Sequence, residues 1–201
     1  MAAAAKKIYI VLHKDRGVVT TASDEHGRAT VYDFLPGSVA PAAHQWIAPV
    51  GRLDKASEGL LLMTNDTEWA ARITAPESHL DKTYHVQIAA VAADALLDSL
   101  RRGVENKGET LSVKRVSFLR AGEKNSWVEI VLDEGKNRQI RRMFESLGIE
   151  VHRLIRVSIG PLALGDLRHG TARRLTSAEK LLLDRALMDS AAAQRKHFQP
   201  R

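Results

Sequence analysis

The chain has 201 residues, 44% of them hydrophobic, no cysteine and a formal net charge of +6. That length holds one large domain or two small ones with a sizeable core. The missing cysteines exclude disulfides and thiolate metal sites, no apolar run approaches bilayer length, and the positive balance draws polyanions, nucleic acid first among them. The expectation is a soluble, cytoplasmic protein that binds no membrane. No internal repeat or long linker divides the chain, so one domain over residues 6–190 is expected, built as two lobes, with flexible tails at 1–5 and 191–201.

In chain order, β-formers and alternation predict strands over Ile8 to His13 and Gly17 to Thr21. Asp24-Glu25-His26 before Gly27 reads as a polar turn, and Thr30 to Leu35 as a short helix. Gly51-Arg52-Leu53-Asp54-Lys55-Ala56-Ser57-Glu58-Gly59 then runs into the apolar strand Leu60 to Thr64. This places a carboxylate in a glycine-flanked loop on a rigid strand, where reactive groups are commonly presented. Asp54 is a candidate nucleophile or base; the competing reading makes it the cap of a short helical turn.

A helix is expected over Glu68 to Thr74, then a strand over Thr83 to Ile88 whose alternation sends Tyr84, Val86 and Ile88 to one side. Tyr84 can offer its ring to a base or serve as an ordinary half-buried aromatic. A helix over Ala93 to Arg102 and strands over Leu111 to Leu119 and Trp127 to Leu132 follow.

The segment Glu134 to Gly148 has helical geometry over Arg138 to Leu147, with Asn137 as its expected cap and Gly148 as its end. Ile140, Met143, Phe144 and Leu147 form one apolar stripe. Arg138, Arg141 and Arg142 share another face, where like charges repel unless an anion lies among them. The last helix runs from Ser177 to about Ala192, with Thr176 and Glu179 spaced to cap its start. Strands interspersed with helices, without a repeating strand-helix unit, predict an α+β fold with a largely antiparallel sheet. The eight histidines form no metal-ligand pattern, and no phosphate-loop or dinucleotide-binding glycine pattern occurs. No metal and no cofactor are expected.

Gly51 through Thr64, with Lys82-Thr83-Tyr84, Lys136 to Met143 and Leu154-Ile155-Arg156, resembles the pseudouridine synthases of the RsuA type that modify ribosomal RNA. The resemblance covers most of the chain in order. It departs at His13-Lys14-Asp15, where members commonly have Asn-Lys-Pro, and in lacking the small RNA-binding module that often precedes the catalytic domain.

The resemblance implies the pseudouridine synthase fold, a mixed sheet in two lobes around a central RNA-binding cleft. It implies a monomeric enzyme that flips a uridine of ribosomal RNA, large-subunit RNA in preference to small-subunit or transfer RNA, into that cleft. Asp54, Tyr84 and Arg141 are then catalytic, with Arg141 chosen as the partner of the aspartate. Arg52, Lys136, Arg138, Gln139 and Arg142 are implied to contact RNA, with Arg52 entering the stack and Arg168, Arg173 and Arg174 as further phosphate contacts. A noncatalytic RNA-binding protein and a DNA-binding regulator are the competing readings; neither needs the Asp54 loop.

Overall fold

The computed structural model describes residues 6–39 and 46–197. Its strands are β1 (Tyr9–Lys14), β2 (Ala48–Val50), β3 (Glu58–Thr64), β4 (Lys82–Ile88), β5 (Val104–Asn106), β6 (Glu109–Leu111), β7 (Arg115–Ala121), β8 (Ser126–Leu132), β9 (Val151–Ile159), β10 (Leu162–Ala163) and β11 (Ala172–Arg174). The helices are α1 (Thr67–Thr74), α2 (Asp94–Arg102), α3 (Gln139–Ser146) and α4 (Ser177–His197). One sheet runs β11-β1-β3-β9-β4-β8-β7, with β2 beside β3 and β10 beside β9. Among the strand pairings of the described residues only β3–β9 is parallel, and it joins the two lobes.

The lobes are covered differently. On β1 and β3, Val11, Leu60 and Leu62 face α1 and α4 through Trp69, Ile73, Leu183 and Leu187. Their opposite faces, with Ile10, Leu12, Leu61 and Met63, pack under Val18 and Val31. Every residue of β3 is buried, as a strand covered on both sides requires. On β4, β8 and β7, one face alone is closed, where Val86, Ile88, Val128 and Ile130 meet Leu97 and Leu100 of α2 and Ile140, Met143 and Phe144 of α3. The stripe read from the 134–148 segment is therefore the core side of α3, with Leu147 packed at its margin.

Several expected elements change form. Gly17 to Thr21 makes no strand: Gly17 turns at φ 91°, Val19 alone bridges to Thr30, and the Thr20 hydroxyl ties to Leu53 instead of a sheet neighbour. Residues 30–35 give a four-residue 3-10 helix, Val31–Phe34, capped by Thr30 and Asp33, because Pro36 after Leu35 disfavours continuation. The stretch Leu111 to Leu119 breaks at Ser112, whose carbonyl accepts from Gln139 of α3 at 2.8 Å. Asn137 does not cap α3; Arg138 takes that position in left-handed conformation, without a side-chain cap bond. The Thr176 and Glu179 pair does cap α4 as expected, Thr176 N–H donating to Glu179 at 2.9 Å. That helix continues through 191–197, and the expected tail positions 1–5 and 198–201 lie outside the described residues.

Candidate active site

The segment between β2 and β3 is irregular, so its backbone carbonyls have no helix or sheet partners. From Leu53 through Ser57 every one of them is nonetheless engaged. Thr20 Oγ1 donates to Leu53 O at 2.8 Å, Gly17 N–H to Lys55 O at 2.7 Å and Arg141 Nη2 to Ala56 O at 2.9 Å. Lys14 Nζ donates to Asp54 O at 3.1 Å and Ser57 O at 2.8 Å, and to Asp15 O at 3.0 Å. The loop is thereby fixed by its backbone, and its side chains are left for other work.

Two buried charges underlie this arrangement. Lys14 is 1% exposed. Burial pushes its amine down to about 8, against the opposing pull of Asp54, Asp15 and Glu58. Glu58 is also buried, which raises its carboxyl, but the bidentate Arg153 guanidinium at 2.7 and 3.0 Å more than reverses this and leaves it below the ordinary carboxylate range. Gly59 lies flat against β9 at φ 105°. A Cβ there would stand 2.3 Å from the Arg156 carbonyl oxygen, so only glycine allows the two lobes to meet at this point.

The Asp54 carboxylate is 36% exposed and meets Arg138 Nη1 at 3.7 Å. It makes no side-chain cap bond, so the capping reading is not realised. The carboxylate opens onto a cleft of ≈ 520 Å³ whose walls include Lys82, Tyr84, Arg138, Ile140 and Arg156. A second cleft of ≈ 440 Å³ lies on the other side of the loop, sharing Arg52, Leu53 and Asp54. Among the described residues no group of three or more His, Asp or Glu side chains is placed to hold a metal ion, and no helix is long and apolar enough to cross a membrane.

The sequence-predicted residues divide into three groups. Arg52, Asp54, Tyr84 and Arg138 line the cleft, and Arg52 makes no hydrogen bond or ion pair among the described residues. Arg141, expected to pair with Asp54, stands behind the loop, where its guanidinium donates to Ala56 O and to Val151 O at 3.2 Å. Burial lowers its pKa, with Arg138 adding to the effect and Asp54 opposing it. The direct ion pair falls to Arg138 because two backbone carbonyls hold Arg141 in place.

The third group is tied to other side chains or to backbone, and two of its members, Lys136 and Gln139, also line the cleft. Gln139 is 2% exposed, its amide donating to Ser112 O and Glu134 at 2.8 and 2.9 Å. Arg142 is engaged by Asn106 and Glu109 at 2.8 and 2.7 Å, and Lys136 by Glu109 and Glu134 at 3.3 and 3.4 Å. Arg173 is likewise held by Glu179. Lys136, Arg142 and Arg173 are thus each paired with a carboxylate of the protein itself.

Sequence reasoning gave no role to Lys14, Lys82 or Arg156. Lys82 precedes Tyr84 by two in β4, so the same alternation that placed Tyr84 also placed it; burial lowers its pKa, with Arg156 adding to the effect. Arg156 is 6% exposed, bonds Leu60 O through Nε at 2.8 Å, and leaves Nη2 without a partner among the described residues. Neither Lys14 nor Arg156 carries a sequence signal of burial, since arginine and lysine are almost never fully buried.

A family profile described as RNA pseudouridylate synthase matches residues 8–146. The chain is 40% identical over 184 residues to a Bacillus subtilis protein named ribosomal large subunit pseudouridine synthase B, covering 90% of this chain and 73% of that one. A Haemophilus influenzae protein of the same name is 40% identical over 155 residues, 77% of this chain and 42% of its own length. A crystal structure of a pseudouridylate synthase superposes with a TM-score of 0.75 at 32% identity, covering 89% of this chain and 74% of that one. The human RNA pseudouridylate synthase domain containing 1 protein shares the fold, at TM-score 0.52 and 13% identity.

Proposed function

The chain belongs to the RNA pseudouridylate synthase family, enzymes that isomerise uridine to pseudouridine, and we propose that this member acts on large-subunit ribosomal RNA, with Asp54 as the reacting carboxylate. The substrate follows from the relatives' names. The observation that carries the catalytic assignment is the Asp54 loop: every carbonyl from Leu53 to Ser57 is engaged, while the Asp54 carboxylate faces a cleft lined by Tyr84 and Arg138.

The reaction breaks the bond from N1 to ribose C1′, turns the base in place and joins C5 to C1′. The hydrogen on C5 leaves as a proton and N1 takes one up, so the composition is unchanged and nothing is oxidised. A fixed carboxylate serves either of two routes: attack on the sugar or base, or removal of a ribose proton to give a glycal. Arg138 supplies the neighbouring positive charge and Arg141 holds the loop that aims the carboxylate, a positioning task. Tyr84 lies on the cleft wall where the detached uracil must be kept from escaping. Arg52, exposed and unpaired, has the planar cation to fill the gap that a flipped base leaves in the stack. One chain supplies every residue in this account, as a monomer working in the cytoplasm.

The test is tritium release from large-subunit ribosomal RNA labelled at uridine C5, made in cells lacking the enzyme. The native protein should release label, and Asp54→Asn should reduce the rate on the order of 10³-fold or more while melting at the same temperature. Full activity in Asp54→Asn would remove the aspartate from the mechanism, and no release by the native protein would remove the substrate.

A further inference from the structure

The smaller cleft is not used in the mechanism above, yet it is built as carefully as the first. Its outer wall is the segment from Val19 to Arg28. Val19 and Ala29 close the base of that segment at 2.9 Å. Asp24 organises its tip, accepting from the His26 and Arg28 amides at 3.2 and 2.7 Å and from the Arg28 side chain at 2.5 and 3.0 Å. Thr20 and Gly17 fasten the segment to the Asp54 loop. The cleft therefore exists before any ligand arrives, and its volume falls in the range of sites that hold small ligands, about 300–1,000 Å³.

Its chemistry is polar and cationic at one side. The Lys55 side chain makes no hydrogen bond or ion pair among the described residues, and it lines the smaller cleft next to Asp54. Ser23, Glu25 and His26 are exposed along the opposite wall. The ridge between the clefts is Arg52-Leu53-Asp54 alone. A strand with one base in the Tyr84 cleft has only this three-residue ridge to cross to reach the smaller cleft. Flipping a uridine also strips its neighbour of a stacking partner, and a preformed pocket compensates for that loss.

Resting on the assignment of the Asp54 cleft to the target uridine, we infer that the smaller cleft is a second nucleotide pocket. It takes the nucleotide adjoining that uridine, with Lys55 at the connecting phosphate and the 23–26 segment at the base edge. This pocket selects the sequence context in which a uridine is modified.

The test uses the full chain with Asp54→Asn, to hold RNA without turnover, and with photoreactive benzoylphenylalanine in place of Ser23. The probe is unmodified large-subunit ribosomal RNA transcribed in vitro. The native protein is first used to map the isomerised uridine. A crosslink at the nucleotide next to that uridine is the expected result. Pseudouridine formed at a mapped position, with crosslinks absent or three or more nucleotides away, overturns the pocket and leaves the function standing. Absence of pseudouridine overturns the function and the inference with it. As a second measurement, Ser23→Trp, which fills the cleft, should raise KM about tenfold while kcat stays within twofold; an unchanged KM counts against the pocket.

Discussion

The loop at 51–57 and the segment at 134–148 both read as functional, and the structure uses them in opposite ways. In the loop the backbone is bound on every carbonyl from Leu53 to Ser57, and the side chains of Arg52, Asp54 and Lys55 are left facing two clefts. In the arginine-rich segment the side chains do the binding: Gln139, Arg142 and Lys136 hold Ser112, Glu109 and Glu134, and Arg141 holds the loop. Among the described residues, only Arg138 of that segment pairs with the Asp54 carboxylate. The difference teaches that a charged side chain is free for substrate when the fold holds its backbone by other means, and charge density in the sequence does not report this.

The largest way to break this comparison is at the frame beneath the loop. Gly59→Ala places a methyl 2.3 Å from the Arg156 carbonyl at φ 105°, and should destabilise by about 4 kcal/mol or more in denaturant titration. A loss under about 1 kcal/mol would mean that β3 and β9 slide apart freely and that the loop has no fixed base.

Next is Lys14→Met, which removes the donor to the carbonyls of Asp15 and Ser57 and leaves Asp54 O with the Ser57 N–H alone. We expect a stability loss of about 2 kcal/mol and a fall in kcat of about 100-fold from misplaced Asp54. The pH dependence gives a second readout. Burial depresses the folded-state pKa of Lys14 to about 8, so between there and the ordinary lysine value the unfolded chain binds more protons. This group's contribution to stability therefore rises with pH across that window, and the rise should be missing from Lys14→Met. An identical slope in both proteins would assign it elsewhere.

Exchanging the two arginines sharpens the comparison at the site itself. Arg141→Met should lower kcat about 100-fold through the loop with little change in KM, whereas Arg138→Met should raise KM about tenfold, as loss of a cation facing the cleft. Equal effects on KM would erase the distinction between positioning and contact. The smallest effect is expected from Arg142→Ala, a Tm lower by about 3 °C with RNA affinity within twofold. A large affinity loss would return Arg142 to the RNA surface.

Much of this was legible beforehand. The strands carrying Leu60 to Thr64 and Thr83 to Ile88, the apolar stripe of α3 and the cap of α4 follow from local periodicity, because one face of each element meets a core. Spacing alone leaves Asp54 open as a helix cap and Tyr84 as an ordinary half-buried aromatic; the resemblance is what singles them out. The central strand β9 escaped, since its pairing with β4 is interrupted by two register shifts and its buried Arg156 contradicts the usual rule for interior residues. Gly17 to Thr21 looked like a strand because β-forming residues satisfy their backbone in a sheet or by side-chain ties alike, and here the tie to Leu53 prevailed.

By itself, then, the sequence determined the type of most of the longer elements, the α+β class, the glycine-flanked loop that carries Asp54 and the family resemblance, all of which depend on residues near one another in the chain. Tertiary structure alone decided which cations remain free. Lys14 meets Ser57 across 43 positions, Arg141 meets Ala56 across 85 and Arg156 meets Leu60 across 96. Whether a charge is neutralised depends on what the sheet brings beside it, and spacing along the chain carries no record of those neighbours.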